Sequence, residues 1–233
     1  MAELPRANRV LIVGAHPDDP DFFCAGSVAR WTATGSAVAY VVVTSGDKGN
    51  PDPTRDPELF MAVRETEQVA AARLLGVEDV TFLRVPDGEV FDTLELRGKL
   101  TAEIRRFRPD LIVTHDPLTR LYRQHPDHRA VGVTTLAAAF PSCRLATFFP
   151  EQVRLGLEPH VVGSALLFAS DRPDTFVDIA PTFARKVAAL EEHVSQVSAF
   201  PGGLHDRVRR RAAEAGAPAG LALAEAFLFV DLE

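Results

Sequence analysis

Apolar and polar positions come in alternating blocks along the first half of the chain. Val10–Ala15 is a continuous apolar run, and so is Val38–Thr44, "VAYVVVT"; both read as strands buried on two faces. Between them, Phe22–Thr34 has helical periodicity and stops at Gly35, which makes this stretch a βαβ unit. The pattern continues with a helix over Leu59–Leu75 closed by Gly76, a strand over Val80–Val85, a helix over Leu94–Phe107 and a strand over Leu111–Thr114. A helix is predicted from Asp127 to Phe140, then strands over Ser164–Ala169 and Thr175–Ile179. Helices over Pro181–Gln196 and Arg207–Ala215 and an apolar terminal segment, "FLFV", complete the series. Such alternation predicts an α/β fold with a parallel sheet covered on both faces. No linker, repeat or composition shift divides the chain, so residues 1–233 read as one domain.

Ligands of an open parallel sheet bind beyond the carboxyl ends of its strands. That rule singles out the loops at 14–21, 45–57, 86–92 and 115–127. The first lies in "GAHPDDPDF" and carries His16, Asp18 and Asp19; the fourth ends in "HPDH", His125 to His128. For either motif alone, a turn at the proline and an aspartate capping a helix explain the residues equally well. Together they place imidazole and carboxylate groups on one rim. Two histidines and a carboxylate with an open fourth position make a catalytic zinc site, and His16, Asp19 and His128 supply that set. Asp18, beside a ligand, is then placed to act as general base on a water. His125 is placed to donate to an oxyanion and leaving group, with Asp127 orienting its ring. The same three ligands suit an iron oxygenase, although Asp18 and His125 have no evident work in one. A sugar- or nucleotide-binding module without catalysis is the reading from a different class.

Composition narrows the partners. The chain is 46% hydrophobic and 24% charged, with a formal net charge of -7, so it carries no basic field for nucleic acid. Cys24 and Cys143 form no CxxC pair and read as two free thiols. "MAELPRANRV" has no signal-peptide core, and no apolar run approaches the roughly 18 residues of a membrane span. A cytoplasmic protein is expected. "TSGDKGN", Thr44 to Asn50, is neither a Walker A loop nor GxGxxG and is expected to line the substrate mouth. His115, His160, His193 and His205 are left out of the ligand set, His193 being the one of these placed nearest the pocket. "RVRRRAAEAG" reads as a solvated helix face.

"AHPDDPDFFCAGSVARW" with "HPDHRAVG" resembles the PIG-L/LmbE-like family of zinc-dependent de-N-acetylases. "RETEQVAAARLLGV", "RVPDGEV", "RRFRPDLIVTHDP", "KVAALEEHVSQ" and "AEAF" follow as weaker landmarks in the family's usual order. The resemblance implies a Rossmann-like three-layer αβα sandwich with a mostly parallel sheet. It also implies one zinc ion per chain on His16, Asp19 and His128, with Asp18 as base, His125 as oxyanion-stabilising acid and Asp127 as its orienting partner. The implied substrate is an N-acetylated amino sugar conjugate, or the amide of a thiol–sugar conjugate in a related amidase. Arg64 and Asp87 fall where relatives bind sugar hydroxyls, and Asp47 is expected to contact the sugar too. Self-association into trimers or hexamers is a further expectation from the relatives. Many relatives carry glutamate after HPDD where Pro20 stands here, so the acidic role has either moved to Asp21 or gone. The irregular stretch from Pro141 to Gly163 is expected to contribute to the substrate pocket.

Overall fold

The two apolar runs become the centre of a sheet. In the computed structural model, which describes residues 4–50, 52–119, 124–198 and 203–233, β1 (Arg9–Gly14) pairs in parallel with β2 (Ala37–Thr44). On its other side β1 pairs with β4 (Leu111–His115), Val10 opposite Leu111 and Ile12 opposite Val113. β3 (Asp79–Val85) extends the sheet beyond β2, and β5 (Ser164–Phe168) extends it beyond β4. The far edge is antiparallel: β7 (Ala224–Asp231) lies between β5 and β6 (Thr175–Asp178), giving the order β3-β2-β1-β4-β5-β7-β6. The chain therefore leaves β1 towards β2 and β3 and returns to its other side with β4. The carboxyl ends of β1 and β4 flank the point where the strand order reverses, where doubly wound sheets bind ligands.

Helices cover both faces because successive strand residues point opposite ways. Val10 and Ile12 pack with Ala25 and Val28 of α1 (Asp19–Ala33), Ala71 and Ala72 of α2 (Pro57–Leu74), Leu190 of α6 (Phe183–Glu191) and Val208 of α8 (Leu204–Gly216). Leu11 and Val13 pack on the other side with Leu100 and Ile104 of α3 (Leu94–Phe107) and Val131 of α4 (Pro126–Ala139). Each buried valine, leucine or isoleucine side chain contributes about 1.5–3 kcal/mol, and each alanine less. The three-layer, mostly parallel arrangement is the expected one. Cys24 and Cys143 are buried free thiols. Among the described residues no helix is long and apolar enough to cross a membrane.

Several expectations are corrected. α1 begins at Asp19, three residues before the expected start, with Pro20 in its first turn, where a missing N–H costs nothing. The Pro20 ring comes so close to the end of β1 that a Cβ on Gly14 would lie 3.0 Å from its Cδ, so this position suits glycine. The helix expected over Pro181–Gln196 divides into α6 and a short α7 (Val194–Val197), because His193 leaves helical geometry with ψ 52°. The stretch from Pro141 to Gly163 packs along α3, with residues 147–151 beside Leu94 and Glu95 at the start of that helix. It holds α5 (Pro150–Arg154) and runs along α3 to the amino ends of β4 and β5, where His160 meets the Pro109 carbonyl and Gly163 bonds the Asp110 carbonyl. Buried Arg105 of α3 holds it there through the carbonyls of Ser142, Leu145, Phe148 and Phe149.

α1 is also clamped from the far edge of the sheet. Glu225 of β7 accepts the backbone N–H of Gly26 at 2.9 Å and of Ser27 at 2.7 Å, with the Ser27 hydroxyl at 2.6 Å. Lys186 of α6 pairs with Glu225 at 2.6 Å and donates to the Phe22 carbonyl at 2.7 Å. Both charged side chains are 4% exposed. Removing one partner leaves a buried charge uncompensated, so Lys186→Met is expected to lower unfolding stability by about 3–5 kcal/mol. Urea denaturation measures it; a variant as stable as the parent would show that Glu225 is neutral or solvated.

Candidate active site

The residues singled out at the two loops converge at the switch point. Asp19, in the first turn of α1, is 4% exposed and folds its Oδ2 back onto the N–H groups of Ala15 and His16 at 3.1 and 2.8 Å. This hydrogen bonding ties the end of β1 to the start of α1. His16 Nδ1 lies 3.2 Å from His128 Nε2 and 3.4 Å from Asp19 Oδ2, while Asp19 Oδ1 lies 3.3 Å from His128 Nε2. Two imidazole nitrogens and a carboxylate thus face one point. A tetrahedral zinc ion bound at about 2.0–2.1 Å holds its donors about 3.3–3.4 Å apart, so the spacing and chemistry of this set fit such an ion.

The other ring nitrogen of His16 is held from behind. Nε2 lies 3.0 Å from Asp87 Oδ1 and 3.3 Å from Asp127 Oδ2. That places its proton on Nε2 and the lone pair of Nδ1 towards His128, the arrangement in which carboxylates orient metal-binding histidines. Burial works against protonation of His16, yet the carboxylates of Asp127, Asp19 and Asp87 prevail and raise it to about 12. The ring is the local cation when nothing else supplies positive charge. Burial likewise opposes ionisation of Asp19, but His128 and His115 hold it well below the usual carboxylate range.

Asp18 stands apart from this set. It is a non-glycine residue with φ 98° and ψ -28°, and it precedes α1 without capping the helix through its side chain. The left-handed backbone costs about 1–2 kcal/mol and turns the carboxylate away from the helix N–H groups towards Arg64, whose Nη2 is 3.1 Å from Oδ2. Burial pushes the Asp18 carboxyl up to about 6 against the pull of Arg64, and the Asp19 charge adds to the rise.

Arg64 is 3% exposed and also donates to the carbonyls of Pro17 and Gly46. Loop 45–57 wraps it closely: a Cβ on Gly46 would lie 1.9 Å from its Nη1, and one on Gly49 2.6 Å away. The guanidinium is therefore committed to Asp18 and the loop instead of facing sugar hydroxyls as expected. Asp47 is turned to the Asp87 backbone N–H at 2.9 Å, so it fastens the loop after β3.

At the other motif, His125 precedes α4, and its Nδ1 accepts the backbone N–H of Asp127 at 3.2 Å. The contact of Asp127 with His125 is made by its main chain; its carboxylate goes to His16 and to the N–H groups of Gly88 and Val90. Burial, together with the charges of His16 and His128, lowers the His125 pKa. Residues 120–123 of the loop between β4 and this motif lie outside the described set.

His115, left aside from sequence, forms the floor. It is 1% exposed, stacks on His128 at 4.0 Å between centroids, and accepts the Ala15 N–H at Nε2. Burial, with the neighbouring His128 charge, pushes it down to about 4. Its ring supports His128; Nε2 is taken by the Ala15 N–H, and Nδ1 is buried without a partner among the described residues. His193 does not face the pocket: it is fully buried against Asp21 at 2.8 Å. Asp21 itself is buried under α1, bonded to His193 and Gln68, and does not stand in for a rim glutamate. Gln68 went unnoticed in the sequence; its i,i+4 spacing from Arg64 on α2 was the available signal.

Residues 11–139 match the PIG-L family, described as GlcNAc-PI de-N-acetylase. The chain is 30% identical to diacetylchitobiose deacetylase of Thermococcus kodakarensis over 81% of its own length and 70% of that protein. It is also 30% identical to the 1D-myo-inositol 2-acetamido-2-deoxy-alpha-D-glucopyranoside deacetylase of Mycobacteroides abscessus, over 84% of each chain. The structure of N,N'-diacetylchitobiose deacetylase from Pyrococcus horikoshii, complexed with its inhibitor MPG, superposes with a TM-score of 0.89. The match spans 97% of this chain and 84% of that one at 30% identity.

The donor geometry makes a metal-binding prediction. Purified protein should hold one divalent ion per chain by elemental analysis, and His128→Ala should lower its affinity on the order of 100-fold or more, measured against a competing chelator. His115→Ala should keep the ion. Undiminished affinity in the His128 variant would remove that residue from the ligand set.

Proposed function

This chain belongs to the PIG-L family, and from that premise we propose that it is a zinc-dependent hydrolase that removes acetyl from an N-acetylglucosamine conjugate. The observation that carries the proposal is the meeting of His16 Nδ1, Asp19 and His128 Nε2 at 3.2–3.4 Å. When bound there, zinc supplies Lewis-acid polarisation of the acetyl oxygen and lowers the pKa of a water to about 7.

The remaining steps belong to side chains. Asp18, poised near neutrality by burial, takes a proton from the attacking water and carries it to the departing amine. Arg64 keeps that carboxylate aimed and limits how far burial raises it. His125 presents its Nε2–H, because Nδ1 already accepts the Asp127 N–H; with its pKa lowered, the ring acts as a neutral donor to the forming oxyanion. A protonated ring would instead place two N–H groups against each other at Nδ1. Asp87 holds His16 through Oδ1 and offers Oδ2 to a sugar hydroxyl.

The test is acetate release from N-acetylglucosamine, N,N'-diacetylchitobiose and 1D-myo-inositol 2-acetamido-2-deoxy-alpha-D-glucopyranoside, with metal content measured in parallel. Asp18→Asn should lower turnover by about 100-fold or more while the ion stays bound. Zinc-loaded protein that deacetylates none of these, nor the amide of a thiol–sugar conjugate, would overturn the assignment.

A further inference from the structure

Asp18 holds a backbone conformation that only an external anchor makes favourable, and the anchor is visible. Its N–H donates to Gln68 Oε1 at 2.8 Å. The other end of that amide, Nε2, donates to Asp21 Oδ2 at 2.7 Å, and the same oxygen meets His193 Nε2 at 2.8 Å. Gln68, Asp21 and His193 are each fully buried. Three elements thus contribute to one chain of bonds: α2, α1 and the turn between α6 and α7. The polarity of the chain is determined, because a backbone N–H can only donate and a carboxylate can only accept. A side-chain amide between them must present oxygen to one and nitrogen to the other. The carbonyl of Asp18 is held as well, accepting the N–H groups of Asp21 and Phe22 at 3.0 and 2.9 Å. With both peptide groups held, the direction in which the Asp18 Cβ projects is set.

From this geometry we infer that Gln68 is a positioning residue for Asp18. Through Asp21 and His193 it keeps Asp18 left-handed and its carboxylate towards the reacting water and Arg64, instead of folded back as a helix cap. The inference rests on the reading of Asp18 as general base. It also gives Pro20-Asp21 a purpose: the acid one place beyond Pro20 lies where α1 can hand it to Gln68, under the site and away from the rim.

The substitution that removes both bonds at nearly constant volume is Gln68→Met. In the zinc-loaded protein acting on N,N'-diacetylchitobiose, kcat should fall about 10- to 100-fold, with KM within about twofold and metal content unchanged. Independently of activity, hydrogen exchange at the Asp18 amide should quicken about tenfold or more while Val13 and Ala25 stay as protected as in the parent. Gln68→Glu turns two acceptors towards Asp21 and should be impaired similarly. Adding Asp21→Asn reverses that bond's polarity and should recover about fivefold or more in kcat. This pair carries the test should Gln68→Met fail to fold. A folded Gln68→Met protein with kcat unchanged, whatever its amide exchange, overturns the inference; so does a kcat loss that tracks zinc loss, or a double variant with no recovery. If Asp18→Asn keeps full turnover, the base assignment fails on its own, and the exchange rate of Asp18 still decides whether Gln68 holds it.

Discussion

Four carboxylates, those of Asp18, Asp19, Asp87 and Asp127, are gathered around one imidazole and one guanidinium, and the rest of the structure depends on keeping that charge in place. An isolated carboxylate loses several kcal/mol of hydration on burial. Here each acid is compensated differently. Asp19 accepts two backbone N–H groups at the end of β1, and Asp127 accepts those of Gly88 and Val90, so the strand-end loops themselves neutralise much of the burden. Asp87 is pushed up by burial, yet His16, with help from Arg64, holds its carboxyl below the usual carboxylate range. Of the four, Asp18 alone is raised, because burial and the Asp19 charge outweigh the pull of one shared guanidinium. Two adjacent aspartates of identical chemistry are thereby separated into one that is always charged and one that exchanges protons near neutrality.

That separation is produced by backbone geometry as much as by charge. A hydrogen-bonded turn at the end of β1 starts α1 at Asp19, and the left-handed Asp18 before it projects out of the helix line. The turn holds its shape because α1 is held along its length: Pro20 against Gly14, Gln68 and Asp21 beneath, Glu225 and Lys186 further along. The substrate-facing side of the site is built the same way. Asp47 bonds the Asp87 backbone, and Gly46 and Gly49 close over Arg64, so the segment after β2 is tied both to the loop after β3 and to the partner of Asp18.

The parts legible from sequence were those where one local pattern decides the outcome. β1, β2 and β4 are buried on both faces, and unbroken apolar runs announce them. His16, Asp19, His125 and His128 could be read because strand-end loops share a rim in any parallel sheet. Features that depend on tertiary contact could not be read. The period of Pro181–Gln196 continues through His193, yet that residue leaves helical geometry where its ring meets Asp21. Arg64 looked like a sugar ligand until the glycines of loop 45–57 were seen to enclose it, and Asp127 looked like a carboxylate partner for His125 although its backbone serves that ring. Gln68 carries only the weak signal of its i,i+4 spacing from Arg64, since an amide on a helix face is ordinary until the strained residue above it is known.

The placement of β7 bears on the order in which the molecule can be assembled. Gly26 and its acceptor Glu225 are separated by 199 positions, and β7 lies inside the sheet between two strands that precede it. A ribosome that has released β1 to β5 has therefore delivered every residue of the two histidine motifs, yet Glu225, the partner of Gly26, Ser27 and Lys186, is still to come. The N-terminal half can collapse early around its short-range βαβ contacts, but long-range pairing of this kind is slow to form. Competence to hold the charge cluster in register thus arrives with the last strand of the sheet.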